Sequence, residues 1–188
     1  ANTVKEFIDY VKANPGKVTY ASSSIGSTAQ LAALQLSMMT GLDMVHVPFR
    51  GAAPALNDVM GGHVDMLFDI VSTTLPMMEV GNLKVLGTGG DKRSRIMPGI
   101  PTIEEAGVPG FRALTWFAMV APPGTPTAIT GKIYRDTVEA MKVPEVAARI
   151  ASMGMDIVGM DPESSGKYFA QEAAMWGKIV KEANISMD

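Results

Sequence analysis

At 188 residues, 47% apolar and with a net charge of −3, the chain has material for one large domain or two small lobes, and its composition argues against global disorder. Its 16 Lys and Arg are scattered and aromatics make up 6%, which disfavours nucleic acid, because neutralising phosphates takes clustered cations. Cysteine is absent, which removes disulfides and Cys-based zinc or redox sites, and no apolar run approaches the roughly 20 residues that span a bilayer.

The opening Ala1-Asn2-Thr3 carries no secretory leader and reads like the middle of a protein, with a leader either removed or never present. Thr3 and Glu6 then form a capping-box pattern, each side chain placed to satisfy a free N–H near the other. Val4, Phe7, Ile8 and Val11 follow at helical spacing, and Asn14-Pro15-Gly16 stops that helix. Val18 to Ala21 is a predicted strand, Ser22 to Ser27 a loop, and Thr28 to Met39 a mostly apolar helix ended by Gly41. The pattern repeats with a strand from Met44 to Val47, a turn at Pro48-Phe49-Arg50-Gly51 and a helix from Ala52 to Met60. A strand from Val64 to Phe68, a short helix from Thr73 to Val80 and a strand from Leu83 to Thr88 complete the run. Strands alternating with helices predict a mostly parallel sheet with helices on both faces.

Residues 89–112 are rich in Gly and Pro and read as an ordered connector, with Thr102 and Glu105 as a second capping box. Leu114 to Ala121 is a predicted apolar strand. Thr125 caps a helix with Pro126 at its first position, running to about Met141, and Pro144 starts another that ends at Gly154. Asp156 to Val158 is a short predicted strand. Asp161-Pro162-Glu163 opens a last helix with Phe169, Ala173, Trp176 and Val180 on one face.

The loop from Ser22 to Thr28 leaves a strand and enters a helix N-terminus, where free N–H groups and the helix dipole favour an anion. Gly26 admits close approach of backbone to a ligand, and Ser24, Ser27 and Thr28 add hydroxyls; a capped helix that binds nothing explains the same residues equally well. The Arg50-Gly51-Ala52 turn repeats the arrangement at the next junction, and both junctions belong to the C-terminal edge of the sheet, where open parallel sheets bind ligands. Arg50 is more economically a solvated surface residue. Asp69, at the same edge, either binds an amine or hydroxyl or caps the following turn. His63, Asp65 and Asp69 are spread over about 20 Å of strand, too far apart for one metal ion. His46, inside an apolar strand, reads as structural. No G-x-S-x-G elbow, Walker loop or G-x-G-x-x-G is present, so no catalytic set and no cofactor is called. The fifteen methionines read as core filler.

Several segments together resemble a known family. They are Ala13-Asn14-Pro15-Gly16-Lys17 and Tyr20-Ala21-Ser22 with Gly26-Ser27; His46-Val47-Pro48-Phe49-Arg50-Gly51-Ala52-Ala53-Pro54-Ala55-Leu56; Gly61-Gly62-His63-Val64-Asp65 with Phe68-Asp69; Arg93-Ser94; Pro101-Thr102-Ile103-Glu104-Glu105-Ala106-Gly107; and Ala121-Pro122-Pro123-Gly124-Thr125-Pro126. In order and spacing the chain resembles the Bug-type solute receptors of tripartite tricarboxylate transporters across nearly its whole length. The resemblance implies an α/β fold of the periplasmic binding protein type II kind, with two lobes around a cleft and a largely parallel sheet. It implies a periplasmic, non-enzymatic receptor that binds a small carboxylate or dicarboxylate and hands it to membrane transporter subunits. Carried over, the ligand-binding residues are Ser24, Gly26, Ser27, Thr28, Phe49, Gly51, Ala52 and Asp69. Phe49 stands where the family often has Tyr, and Ser24 where it often has Gly. Family members are longer, and the first lobe's opening strands and glycine-rich loop are expected before Ala1. Residues 1–112 are then the second, ligand-binding lobe, and 113–188 a return segment belonging to an incomplete first lobe. The Leu114–Ala121 strand and the last helix are expected to show exposed apolar residues, with self-association of the chain as a consequence. The alternative is a ligand-sensing effector domain of a transcription regulator, although no basic helix-turn-helix is visible; an enzyme on an α/β scaffold comes third.

Overall fold

The structure, a computed structural model, describes residues 1–185. Helix α1 (Val4–Ala13) begins where the Thr3 hydroxyl accepts the Glu6 N–H at 3.1 Å. The Glu6 carboxylate reaches back to the Asn2 N–H at 2.7 Å, one residue before the position expected of a capping box. There follow β1 (Val18–Ser22), α2 (Thr28–Thr40), β2 (Met44–Pro48), α3 (Ala52–Met60), β3 (Met66–Leu67) and α4 (Val71–Glu79). Gly41 ends α2 in the left-handed region, φ 69°, a conformation that costs other L-residues energy. The three strands are parallel in the order β2-β1-β3, with Ser22 opposite Pro48 and Ala21 opposite Leu67.

Side chains alternate across a strand, and the two faces of β1 are buried against different helices. Val18 packs with Val11 of α1, Leu36 of α2, Leu42 and Phe111, while Ala21 packs with Ala55 of α3 and Val64. Helices α1 and α2 therefore cover one face and α3 the other. Each large apolar side chain in this core stabilises the fold by about 1.5–3 kcal/mol. Helix α2 is mostly apolar and buries Leu31, Ala32, Ala33 and Leu36 together with the polar Gln30 and Gln35. Methionine fills little of that core: Met44 packs against it and Met97 is buried, whereas Met38, Met39 and Met119 are exposed.

Four expected strands are shortened or replaced. The strand expected from Val64 to Phe68 contracts to Met66–Leu67, because the Val64 N–H turns back to Asp58 and Asp65 is held by a side chain. The Asp65 carboxylate accepts the Thr19 N–H at 2.7 Å and the Thr19 hydroxyl at 2.8 Å. The segment Leu83–Thr88 forms no strand, and Thr88 makes one isolated parallel bridge to Thr102. Leu114–Ala121 and Asp156–Val158 are likewise irregular. An extended apolar run becomes a strand when its N–H and C=O groups find a ladder. The backbone bond from Ala113 N–H to the Gly89 carbonyl, 2.9 Å, is followed by no ladder through 114–121 among the described residues. In the connector, Thr102 and Glu105 form a reciprocal box, with both bonds at 3.0 Å, around a turn and not an α-helix. The Arg93 guanidinium binds Glu105 at 2.7 Å and, with the Thr102 N–H, holds its carboxyl below the usual carboxylate range.

Compactness divides the chain into residues 1–115 with the chain from Lys178 onward, and residues 116–177. The second unit carries α5 (Thr127–Met141), α6 (Pro144–Ser152) and most of α7 (Pro162–Glu182). Pro126 precedes α5, with φ −56° and ψ 138°, and so does not take the helix's first position as expected; the Thr125 hydroxyl donates to the Pro122 carbonyl and caps nothing. Asp161 accepts the N–H groups of Glu163 and Ser164, each at 3.0 Å, and opens α7. The apolar stripe expected on α7 is only partly realised. Phe169 stacks on Trp116 at 5.0 Å, but Ala173 is exposed and the buried positions are Glu172 and Ile179. Buried Glu172 accepts the indole N–H groups of Trp116 and Trp176 at 3.0 and 3.1 Å. In the segment 116–120, Phe117, Met119 and Val120 are 77%, 71% and 78% exposed.

Candidate functional site

The crossovers set the place of the site. β1 leads into α2 on one face of the sheet, and its neighbour β2 leads into α3 on the other. The two crossovers thus pass to opposite faces of the sheet, and the C-terminal edge at such a switch point is where open parallel sheets receive ligands. A pocket of about 500 Å³ lies there, lined by Ser23, Ser24, Ile25, Pro48, Phe49 and Arg50.

The two loops are joined by backbone. The Phe49 N–H donates to the Ser22 carbonyl and the Gly51 N–H to the Ser23 carbonyl, both at 2.9 Å. Gly51 has φ 122° and Gly26 has φ 76°, so both turns use backbone that favours glycine. Ser27 caps α2: its hydroxyl accepts the Gln30 N–H at 3.5 Å and donates to the Ser24 carbonyl at 2.8 Å. Among the described residues, no protein acceptor meets the N–H groups of Thr28 and Ala29 in the first turn of α2, or of Ala52 and Ala53 in that of α3. Such first-turn groups are open to an anionic oxygen.

The expected site residues separate into three groups. Ser24 and Phe49 line the pocket. Thr28 and Ala52 stand at the first positions of the two helices and are exposed. Gly26, Ser27 and Gly51 shape the loops, and the N–H groups of Gly26 and Gly51 are spent within the protein, the former on the Gln30 side-chain oxygen at 2.7 Å. Asp69 is half-buried two residues beyond β3; its carboxylate accepts the hydroxyls of Thr73 and Thr74 in α4, and it is not among the pocket's lining residues. Ser23, Ile25, Pro48 and Arg50 line the pocket and were not assigned to it from sequence; they flank the assigned residues, and adjacency in the loops was the available signal.

Beneath the loop lies a polar cluster invisible to sequence spacing. His46, on β2, stacks on Tyr20 of β1 with ring centroids 4.9 Å apart. Its Nε2 is 2.7 Å from the Ser22 hydroxyl and its Nδ1 is 3.2 Å from the Gln30 side-chain nitrogen. Burial pushes His46 below its ordinary pKa and raises the Tyr20 phenol. Ser22 and Gln30 are 1% and 7% exposed. No group of three His, Asp or Glu side chains gathers to hold a metal ion among the described residues, and no helix among them is long and apolar enough to cross a membrane.

Residues 1–185 match the tripartite tricarboxylate transporter family receptor. BugT of Bordetella pertussis is 31% identical over 186 residues, which cover 99% of this chain and 57% of that protein. An R. palustris protein solved with adipate superposes with a TM-score of 0.87 at 31% identity, over 99% of this chain and 62% of that one. MatC from Rhodopseudomonas palustris, solved with bound malate, gives a TM-score of 0.81 at 28% identity, over 95% and 62%. The chain thus spans somewhat over half the length of the curated relatives it matches.

Proposed function

The chain belongs to the tripartite tricarboxylate transporter receptor family, and we propose that it supplies part of a periplasmic receptor that captures a small carboxylate or dicarboxylate and delivers it to membrane transporter subunits. The role is binding and release, not catalysis. The observation that carries this reading is the convergence of the Ser22–Thr28 loop and the Phe49–Ala52 turn on one pocket at the point where the crossovers diverge. Unpaired first-turn N–H groups and the hydroxyls of Ser23, Ser24 and Thr28 offer donors without a fixed cation beyond exposed Arg50. That is the chemistry of a carboxylate held by dipoles, and it accepts more than one carboxylate skeleton. The adipate and malate of the two solved relatives support the class. In this reading residues 1–112 are a ligand-binding lobe with Ser24, Gly26, Ser27, Thr28, Phe49, Gly51 and Ala52 at the site, residues 113–188 are a return segment of the other lobe, and Asp69 acts by holding the start of α4.

A thermal-shift screen tests the class. A ligand that binds the native state stabilises it by about 2.7 kcal/mol at a hundredfold excess over Kd. Adipate or malate is expected to raise Tm in a concentration-dependent way, with sugars and divalent metals inert. Stabilisation by sugars or metals with no response to either carboxylate refutes the assignment.

A further inference from the structure

The protons in the cluster under the loop can be counted. The Ser22 hydroxyl has one proton and donates it to the Ser24 carbonyl at 2.9 Å. Toward His46 it therefore accepts, and Nε2 carries the hydrogen. On the other side the Gln30 side-chain oxygen accepts the Gly26 N–H, which turns the Gln30 amide nitrogen toward His46 Nδ1. That nitrogen donates, so Nδ1 presents a lone pair. A single neutral tautomer satisfies all four bonds. A second proton on His46 sets two donors face to face at Nδ1. Rotating the Gln30 amide to accept that proton sets its NH2 against the Gly26 N–H instead.

We propose that Gln30 and His46 are positioning residues of the ligand loop, which hold Ser24 and Gly26 in their binding arrangement only while His46 is neutral, so that acidification weakens carboxylate binding. This rests on the reading of the Ser22–Thr28 loop as part of the ligand site. The low exposure of Ser22 and Gln30 keeps water from repairing a broken bond cheaply. Tyr20 is the titratable group facing His46 from β1, and burial keeps it neutral across the range; α2 presents the uncharged Gln30 amide. Burial lowers the folded pKa of His46 beneath its ordinary 6.5. The sign follows: the unfolded chain binds the proton more readily, so the contribution is whole above 6.5 and is lost as pH falls through the folded value.

The chain has two histidines, His46 and His63, and His63→Gln isolates the first for ¹⁵N NMR. The expected spectrum shows the Nε2–H tautomer, and the Gly26 amide resonance shifts with the His46 titration. Gln30→Met is expected to uncouple them. Gln30→Glu offers an acceptor to both the Gly26 N–H and a protonated Nδ1; it is expected to raise the His46 pKa and keep the Gly26 amide bonded in acid. In calorimetry with adipate, wild type should lose about tenfold more affinity than Gln30→Glu between neutral pH and a pH below the His46 midpoint read from the same NMR titration, the loss of roughly one buried hydrogen bond. Adipate's own protonation is common to both proteins and cancels in the ratio. An Nδ1–H tautomer, a Gly26 amide indifferent to His46, or equal acid losses in wild type and Gln30→Glu would overturn the inference. Absence of adipate binding at neutral pH strikes the carboxylate reading instead, and the NMR coupling then decides whether the positioning device exists.

Discussion

Gly26→Ala tests the loop with the least change of chemistry. Gly26 sits at φ 76°, where an L-residue with a Cβ pays about 1–2 kcal/mol. The loop is partly exposed, and its native geometry is tied to the fold through the Gly26 N–H bond to Gln30 at 2.7 Å and the Ser27 hydroxyl bond to the Ser24 carbonyl at 2.8 Å. An alanine chain is therefore expected to relax the loop toward negative φ while the sheet and helices stay in place. At about 1.4 kcal/mol per factor of ten, the binding-competent loop becomes about five- to thirtyfold rarer. Apparent affinity falls by the same factor, because Kd scales inversely with the competent fraction. Asparagine tolerates the left-handed region, so Gly26→Asn should cost only a few-fold. The assay is calorimetry with adipate at neutral pH, with Tm recorded alongside to separate loop effects from unfolding. Undiminished affinity in Gly26→Ala, or an equal loss in Gly26→Asn, would show that the backbone at Gly26 does not set the site.

Phe49 gives the pocket a wall without donating to a ligand, so Phe49→Ala should weaken adipate binding less than Gly26→Val, as read by the same calorimetry. A Cβ on Gly89 would lie 2.3 Å from the Ala113 carbonyl oxygen; Gly89→Ala is expected to lower stability by about 1–3 kcal/mol, the range for overpacking, seen as a fall in the urea midpoint. Phe117 and Val120 are exposed in the chain alone, and exposed apolar groups favour association. Sedimentation of the chain should show concentration-dependent association that Phe117→Lys with Val120→Lys suppresses; unchanged association in the double variant would place the sticky surface elsewhere.

Local chemistry decided much of the first hundred residues. Thr3, Ser27 and Gly41 mark the ends of α1 and α2 because caps act within a turn of their own position, and short apolar runs between glycine and serine clusters sufficed for β1 and β2. The Ser22–Thr28 loop and the Phe49–Ala52 turn were legible as a pair, since both follow strands of one parallel sheet and meet at one edge. The segments 83–88, 114–121 and 156–158 have the composition of strands and are irregular, because strand identity belongs to the partner that completes the ladder and composition carries no record of it. From sequence Asp69 was a ligand or capping candidate and Asp65 only too distant to share a metal ion with it; folding gave Asp65 to Thr19 across the sheet and Asp69 to the hydroxyls of α4. His46 read as a structural residue in an apolar strand, and its ties to Ser22 and Gln30 and through Gln30 to Gly26 arise only when β1, β2 and α2 pack together. A hydrogen bond needs its partners within about 3 Å and correctly aimed, and for residues 22, 26, 30 and 46 it is the parallel register of β1 with β2, and the seating of α2 on that face, that meets the condition.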